Sequence, residues 1–202
     1  MSSPVEKPQV LIGNKTSPYV RRFRLWLHDR VKYEFKVFDY LNVPADEVAL
    51  AKITPINKVP LWIDGDQLIY ESRVIANYLT HKHGWTSLKI EEENMLSMID
   101  AANDVAVNLF LLGRSGIDVK AGSWYVDRQK ARIPAMFGLL EPWAKTRDEK
   151  NPAHWNYVTA SLLSYVDWAN FRKMADFSQH PGLTDFARRF AGKPNAAETA
   201  PR

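Results

Sequence analysis

ITPINKVPLWIDGDQLIYESRVIANYL, residues Ile53–Leu79, holds a loop, a hairpin and a helix in one stretch. Asp64-Gly65-Asp66 is a strong turn signal between two apolar runs, Leu61–Ile63 and Leu68–Tyr70, and predicts an antiparallel hairpin. Ser72 follows the second strand and reads as the cap of a helix over Arg73–Lys82. Upstream, Val10–Ile12 is a short apolar run closed by Gly13, and Tyr33–Phe38 alternates as a strand does. Between them, Tyr19–Asp29 carries Val20, Phe23 and Leu27 at helical spacing, behind a Ser17-Pro18 start. Pro44–Lys52 is a second helical stretch. The order is β-α-β-α-β-β-α, an α/β domain over residues 1–84.

The pattern lapses from Trp85 to Lys89, which reads as a linker. Everything after it is helical, so residues 90–202 are expected to form an all-α C-terminal bundle. Ile90–Leu112 places Met95, Ile99, Ala102, Ala106 and Leu109 on one face, and Val126–Lys145 follows. His154–Arg172 is apolar almost throughout, the pattern of a helix buried at the centre of a bundle. Leu183–Phe190 closes the domain before the tail PNAAETAPR.

Composition narrows the function classes. Hydrophobic residues make up 46% of the chain and aromatic ones 12%, which is globular rather than disordered composition. No apolar run approaches the length that spans a bilayer, and MSSPVEKPQV has neither the basic nor the apolar region of a secretory leader. The expectation is a cytoplasmic protein with no membrane partner. The chain has no cysteine, so it has no disulfide, no thiolate metal site and no cysteine nucleophile. Residues up to Gly84 carry twelve Lys+Arg against nine Asp+Glu, and the remainder fifteen against fourteen. Neither part is basic enough for a nucleic-acid face. Arg21, Arg22 and Arg24, with Arg30 and Lys32, read as a solvated helix face; a mild attraction for anionic small molecules is the alternative. The five histidines show no convergent metal-ligand spacing, so no metal is expected. There is no nucleophile elbow, P-loop or dinucleotide fingerprint.

Three stretches together resemble the glutathione transferase superfamily: TSPYVRRFRL (Thr16–Leu25), the Ile53–Leu79 segment, and HPGLTDFARRFAGKPNAAETAP (His180–Pro201). TSPYVRR is similar to small bacterial-type members with serine at the active position. The resemblance implies a thioredoxin-like, glutathione-binding N-terminal domain followed by the helical bundle. It further implies a cytosolic detoxification enzyme that is a homodimer, with glutathione as co-substrate and no tightly bound cofactor.

In that light Ser17 occupies the place of the first cysteine in a thioredoxin-type motif, at a helix N-terminus rich in unpaired N–H groups. By itself it reads as an N-cap; the resemblance implies that its hydroxyl activates the glutathione thiol, with Thr16 the next candidate. A thiol of pKa about 8.5 needs about 2.7 kcal/mol to fall by two units. One hydrogen bond to the thiolate supplies about 1.5–3 kcal/mol and the helix end about 0.3–1 more. Lys58-Val59-Pro60 resembles the loop in which a cis-proline frees the preceding backbone to pair with an extended peptide. Asn57 stands where the family usually has glycine, and Lys58 either faces the glycyl carboxylate or is solvated. Glu71-Ser72 resembles the pair that holds the γ-glutamyl end, Ser72 meeting its carboxylate and Glu71 its ammonium group. The resemblance also implies a second-substrate pocket for a hydrophobic electrophile, around Tyr19, Asn103, Val107, Phe110 and Arg114. The superfamily's S/T-x-x-D box before the buried helix has its counterpart near Ala153–Asn156, without the Ser/Thr.

The implied reaction is conjugation of glutathione to that electrophile. Isomerase and glutathione-dependent peroxidase chemistry use the same thiolate, and a non-catalytic glutathione-binding carrier or interaction protein of the same fold is the rival class.

Overall fold

The computed structural model describes residues 8–202, so most of the segment in which a secretory leader was sought lies outside the described residues. The chain forms two compact units, one ending at Ser87 and one spanning Leu88–Arg202.

The first unit is built on a four-stranded sheet: β1 (Val10–Gly13), β2 (Glu34–Val37), β3 (Leu61–Asp64) and β4 (Gln67–Tyr70), in the order β2-β1-β3-β4. β1 runs parallel to β2 and antiparallel to β3, and β3 pairs antiparallel with β4. The mixed sheet follows from the connections. A crossover through α1 (Pro18–Trp26) returns the chain parallel, while the tight turn at Gly65-Asp66 reverses it, Gly65 taking φ 62°. α2 (Pro44–Ile53) and α3 (Ser72–Lys82) complete the unit. Leu11, Val20, Phe23, Leu27, Leu61, Trp62, Ile75 and Leu79 are fully buried, so the apolar spacing of α1 does face a core.

Two readings of α1 need correction. The helix stops at Trp26 with Leu27 as its cap, short of Asp29, whose φ of 60° is left-handed and ends the turn. Only part of the basic cluster is solvated: Arg21 and Arg22 are 3% and 0% exposed and Arg24 is half-buried, while Arg30 and Lys32 beyond the helix are exposed. The Arg22 guanidinium lies 5.1 Å from the Tyr19 ring centroid and that of Arg24 lies 4.7 Å from Phe35. Long aliphatic stems and stacked guanidinium planes let arginine be covered where lysine would not be.

The second unit contains α4 (Ile90–Arg114), α5 (Trp124–Lys145), α6 (Tyr157–Phe171) and α7 (Pro181–Phe190), with a single 3-10 turn at Pro152–His154. α4 packs on α5 and α6, and α7 on both of the latter. α4 contains an 18-residue window of mean hydropathy 1.4, long and apolar enough to cross a membrane by length and composition. That corrects the reading that no run approaches such a length. Leu96, Ile99, Ala102, Val105, Ala106 and Leu109 of this helix are buried. α6 is buried on every side from Tyr157 to Val166, as its composition predicts, and its serines are satisfied internally: Ser161 and Ser164 donate to the carbonyls of Tyr157 and Ala160 at 2.7 and 2.8 Å.

The cap of α6 sits one turn later than the sequence suggests. Asn156 is itself the N-cap, accepting from the N–H groups of Val158 and Thr159 at 3.0 and 3.2 Å, while the Thr159 hydroxyl accepts from Asn156 N–H. The box is therefore Asn-x-x-Thr, and asparagine caps as well as serine.

Candidate functional site

Strand register assembles the site. Ile12 lies opposite Leu61, Leu61 opposite Tyr70, and Gly13 beside Val37. The exits of β1, β2 and β4 and the entrance of β3 therefore share one end of the sheet. From that end spring Asn14–Ser17, Asp39, Val59-Pro60 and Glu71-Ser72, segments that are far apart in sequence. β1 and β4 are two strand spacings apart, about 10 Å. The opposite end is tied down by Asp64, whose carboxylate accepts from Gln9 at 3.0 Å, from the Tyr78 hydroxyl at 2.8 Å and from Lys82. Those bonds anchor the C-terminal half of α3 and so fix where its N-terminus points. Burial and the Asp64 carboxylate push the Tyr78 hydroxyl up to about 12, which keeps it a donor.

Ser17 is the N-cap of α1, with extended backbone at φ −75° and ψ 125°. Its Oγ accepts from Val20 N–H at 3.4 Å, so the capping role read from sequence is real; the hydroxyl proton has no acceptor among the described residues. Gly13 lets α1 approach this closely, since a Cβ there would meet the Val20 methyls at 2.4 and 2.7 Å. Thr16 is placed differently, its hydroxyl donating to Asn14 Oδ1 at 2.7 Å. Asn14 and Asp39 were missed by the sequence reading. The available signal was an asparagine at a strand exit, a residue that bonds its own backbone two positions on.

The Val59–Pro60 bond is cis, as the resemblance implied, and both residues are buried. Asn57 takes a left-handed φ of 51°, a conformation that asparagine tolerates better than most residues with a Cβ. Lys58 beside it is exposed. At the start of α3 the roles shift by one residue. Glu71 is the N-cap and makes no side-chain cap bond, while Ser72, read as the cap, is the first residue of the helix. Glu71 has φ 70° and ψ 124°, rare for a residue with a Cβ, and its side chain is exposed.

In the second unit Asn103, Val107, Phe110 and Arg114 recur at helical spacing along α4. Asn103 is fully buried, and neither polar atom of its amide has a hydrogen-bond partner among the described residues. Phe110 sets its ring edge-on to Trp168 at 5.7 Å, and Arg114 is exposed at the helix end. Tyr19, grouped with them by resemblance, lies on α1 of the other unit. A cleft of about 220 Å³ between α4 and α5 is lined by Asp104, Val105, Leu112, Tyr125 and Arg132 among others, and by none of the four. Among the described residues no group of three or more His, Cys, Asp or Glu is placed to hold a metal.

The sequence matches the family model for the glutathione S-transferase N-terminal domain over residues 11–90. It is 30% identical over 180 residues to glutathione S-transferase 1 of Triticum aestivum, covering 79% of this chain and 75% of that protein. A glutathione S-transferase from Methylobacillus flagellatus, solved with glutathione bound, superposes with a TM-score of 0.79 at 21% identity, covering 96% of this chain and 100% of that one. A glutathione transferase family member from Pseudomonas fluorescens, also with bound glutathione, gives 0.78 at 21% identity, with 96% and 99% covered.

Proposed function

This chain belongs to the glutathione S-transferase family, and from that premise we propose that it conjugates glutathione to a small hydrophobic electrophile. The observation that carries the reading is the convergence of Ser17, Val59 and Glu71-Ser72 on one end of the sheet across about two strand spacings, or 10 Å. An extended tripeptide is about 10 Å long. Its cysteinyl thiol then meets α1, its backbone pairs with Val59, and its γ-glutamyl end reaches α3.

The chemistry follows from the groups present. The Ser17 hydroxyl, its proton unengaged, donates to the thiolate, and the N-terminus of α1 adds its dipole, together enough to hold much of the thiol ionised near neutral pH. Val59 fixes the peptide by its main chain. Ser72 and the first turn of α3 receive the γ-glutamyl carboxylate, Glu71 accepts from the ammonium group, and Lys58 faces the glycyl carboxylate. The thiolate attacks the electrophilic carbon, the C–S bond forms, and the leaving group departs with its electron pair. On the second unit, the part of the α4 stripe that is not fully buried, Val107, Phe110 and Arg114, receives the electrophile. The protein acts in the cytoplasm as a homodimer.

The test is conjugation of a chloronitrobenzene by the purified protein, with and without Ser17→Ala. The expected result is measurable turnover that falls about ten- to a hundredfold in the variant, the loss of one charge-assisted hydrogen bond, while glutathione affinity stays within a few fold. Tight glutathione binding without turnover on any of a panel of electrophiles would assign the non-catalytic role instead.

A further inference from the structure

We propose that Asn14, braced by Asp39, is a positioning residue that engages the Thr16 hydroxyl and leaves Ser17 as the one hydroxyl offered to a thiol at this turn. The inference rests on the glutathione reading above. Asn14 is 3% exposed and follows the last residue of β1. Its Oδ1 accepts from Thr16 N–H and from the Thr16 hydroxyl, each at 2.7 Å. Its Nδ2 donates to Asp39 Oδ1 at 2.7 Å, and its backbone carbonyl accepts from Ser17 N–H at 3.2 Å. The partners dictate which way the amide faces, because a backbone N–H requires the oxygen and a carboxylate requires the nitrogen.

Asp39 is held in turn. Its N–H donates to Asp46 Oδ2 at 2.7 Å, and Asn42 Nδ2 reaches both of its carboxylate oxygens at 2.9 and 3.0 Å. A chain of bonds thus runs from α2 through Asp39 and Asn14 to Thr16. A hydroxyl has one proton to donate. The Thr16 hydroxyl donates to Asn14 and that of Ser17 has no acceptor among the described residues, so the adjacent hydroxyls are not equivalent. A thiolate at the start of α1 then finds Ser17 as its donor, on a turn that Asn14 holds in place through the N–H groups of Thr16 and Ser17.

Three measurements on the full chain decide it: kcat, KM, and the apparent pKa of the bound glutathione thiol followed through thiolate ultraviolet absorbance. Thr16→Val keeps the side-chain volume and removes the hydroxyl; all three quantities are expected within about twofold of wild type. Asn14→Ala is expected to lower kcat about tenfold and raise the bound-thiol pKa by about one pH unit, with KM moved less. Where Asn14→Ala does not fold, Asp39→Asn is expected to shift the same quantities the same way, by less. A Thr16→Val protein whose bound-thiol pKa rises by a unit would overturn the inference and leave the glutathione reading standing. So would a folded Asn14→Ala protein with unchanged kcat and thiol pKa. A wild type that binds no glutathione as thiolate would overturn both together.

Discussion

Glu71 ends β4 with φ 70°, a conformation that costs a residue bearing a Cβ about 1–3 kcal/mol. Among the described residues no side-chain cap bond offsets it, and the side chain is exposed. A ligand ammonium group at this position would offset it. Glu71→Gly is therefore expected to leave the thermal midpoint equal to or above that of wild type, glycine accepting this φ freely. Glutathione affinity is expected to fall about ten- to a hundredfold through loss of a charge-assisted hydrogen bond. A midpoint well below wild type with affinity intact would make Glu71 a structural residue. Asn57 shows how such positions read from sequence: a non-glycine residue in a glycine place leaves two possible loops, and only the folded backbone, with φ 51°, chooses between them.

The start of α7 shows an element held by another. His180, its N-cap, makes no side-chain cap bond; instead Glu141 of α5 accepts from Gly182 N–H at 2.8 Å, lies 3.1 Å from the His180 ring and pairs with Lys145 at 3.0 Å. Burial alone would raise the Glu141 carboxyl, but the bonds from Lys145, Gly182 and His180 outweigh it and hold the group below its ordinary 4.5. A carboxyl depressed in the folded state adds stability that is fully present above the unfolded value. That stability is lost as pH falls through the lower folded value. Glu141→Gln is expected to cost about 0.5–2 kcal/mol at neutral pH, as losing a cap does, and to flatten the fall of the thermal midpoint below about pH 4.5. A variant with the acid limb of wild type would remove Glu141 from that role. Helix ends were legible where a local cap marks them, as at Ser17, and were misplaced where the mark is a left-handed residue, as at Asp29.

Across the whole chain the absence of cysteine has the broadest consequence. Reducing a mixed disulfide at a glutaredoxin-like rate proceeds through a protein thiolate, and this protein has none to offer. Thiol-transferase turnover on a glutathione mixed disulfide or dehydroascorbate is expected to be negligible beside conjugation. Turnover at a glutaredoxin's rate would show a route without a protein thiol. Assembly is the other molecular property, and two-fold dimers are the commonest oligomers. Light scattering at micromolar concentration is expected to give twice the chain mass, and the chain mass alone would refute the dimer.

Turn chemistry, apolar spacing and the proline before an apolar strand act over a few residues, so the hairpin at Gly65, the order of the elements and the loop before β3 could be read from residues Ile53–Leu79 and their flanks. The interactions that finish the site have no such locality. Asn14 meets Asp39 across 25 positions, Glu141 caps Gly182 across 41, and Asn156 bonds Glu92 across 64. The burial of Arg21 and Arg22 likewise depends on the fold, because a charged triplet on a helix has the same local pattern whether it is solvated or covered. Which hydroxyl of Thr16-Ser17 keeps its proton free is of this second kind. It turns on an asparagine whose orientation is set by a carboxylate on another strand exit, a fact present in the register of β1 and β2 and in no stretch of sequence.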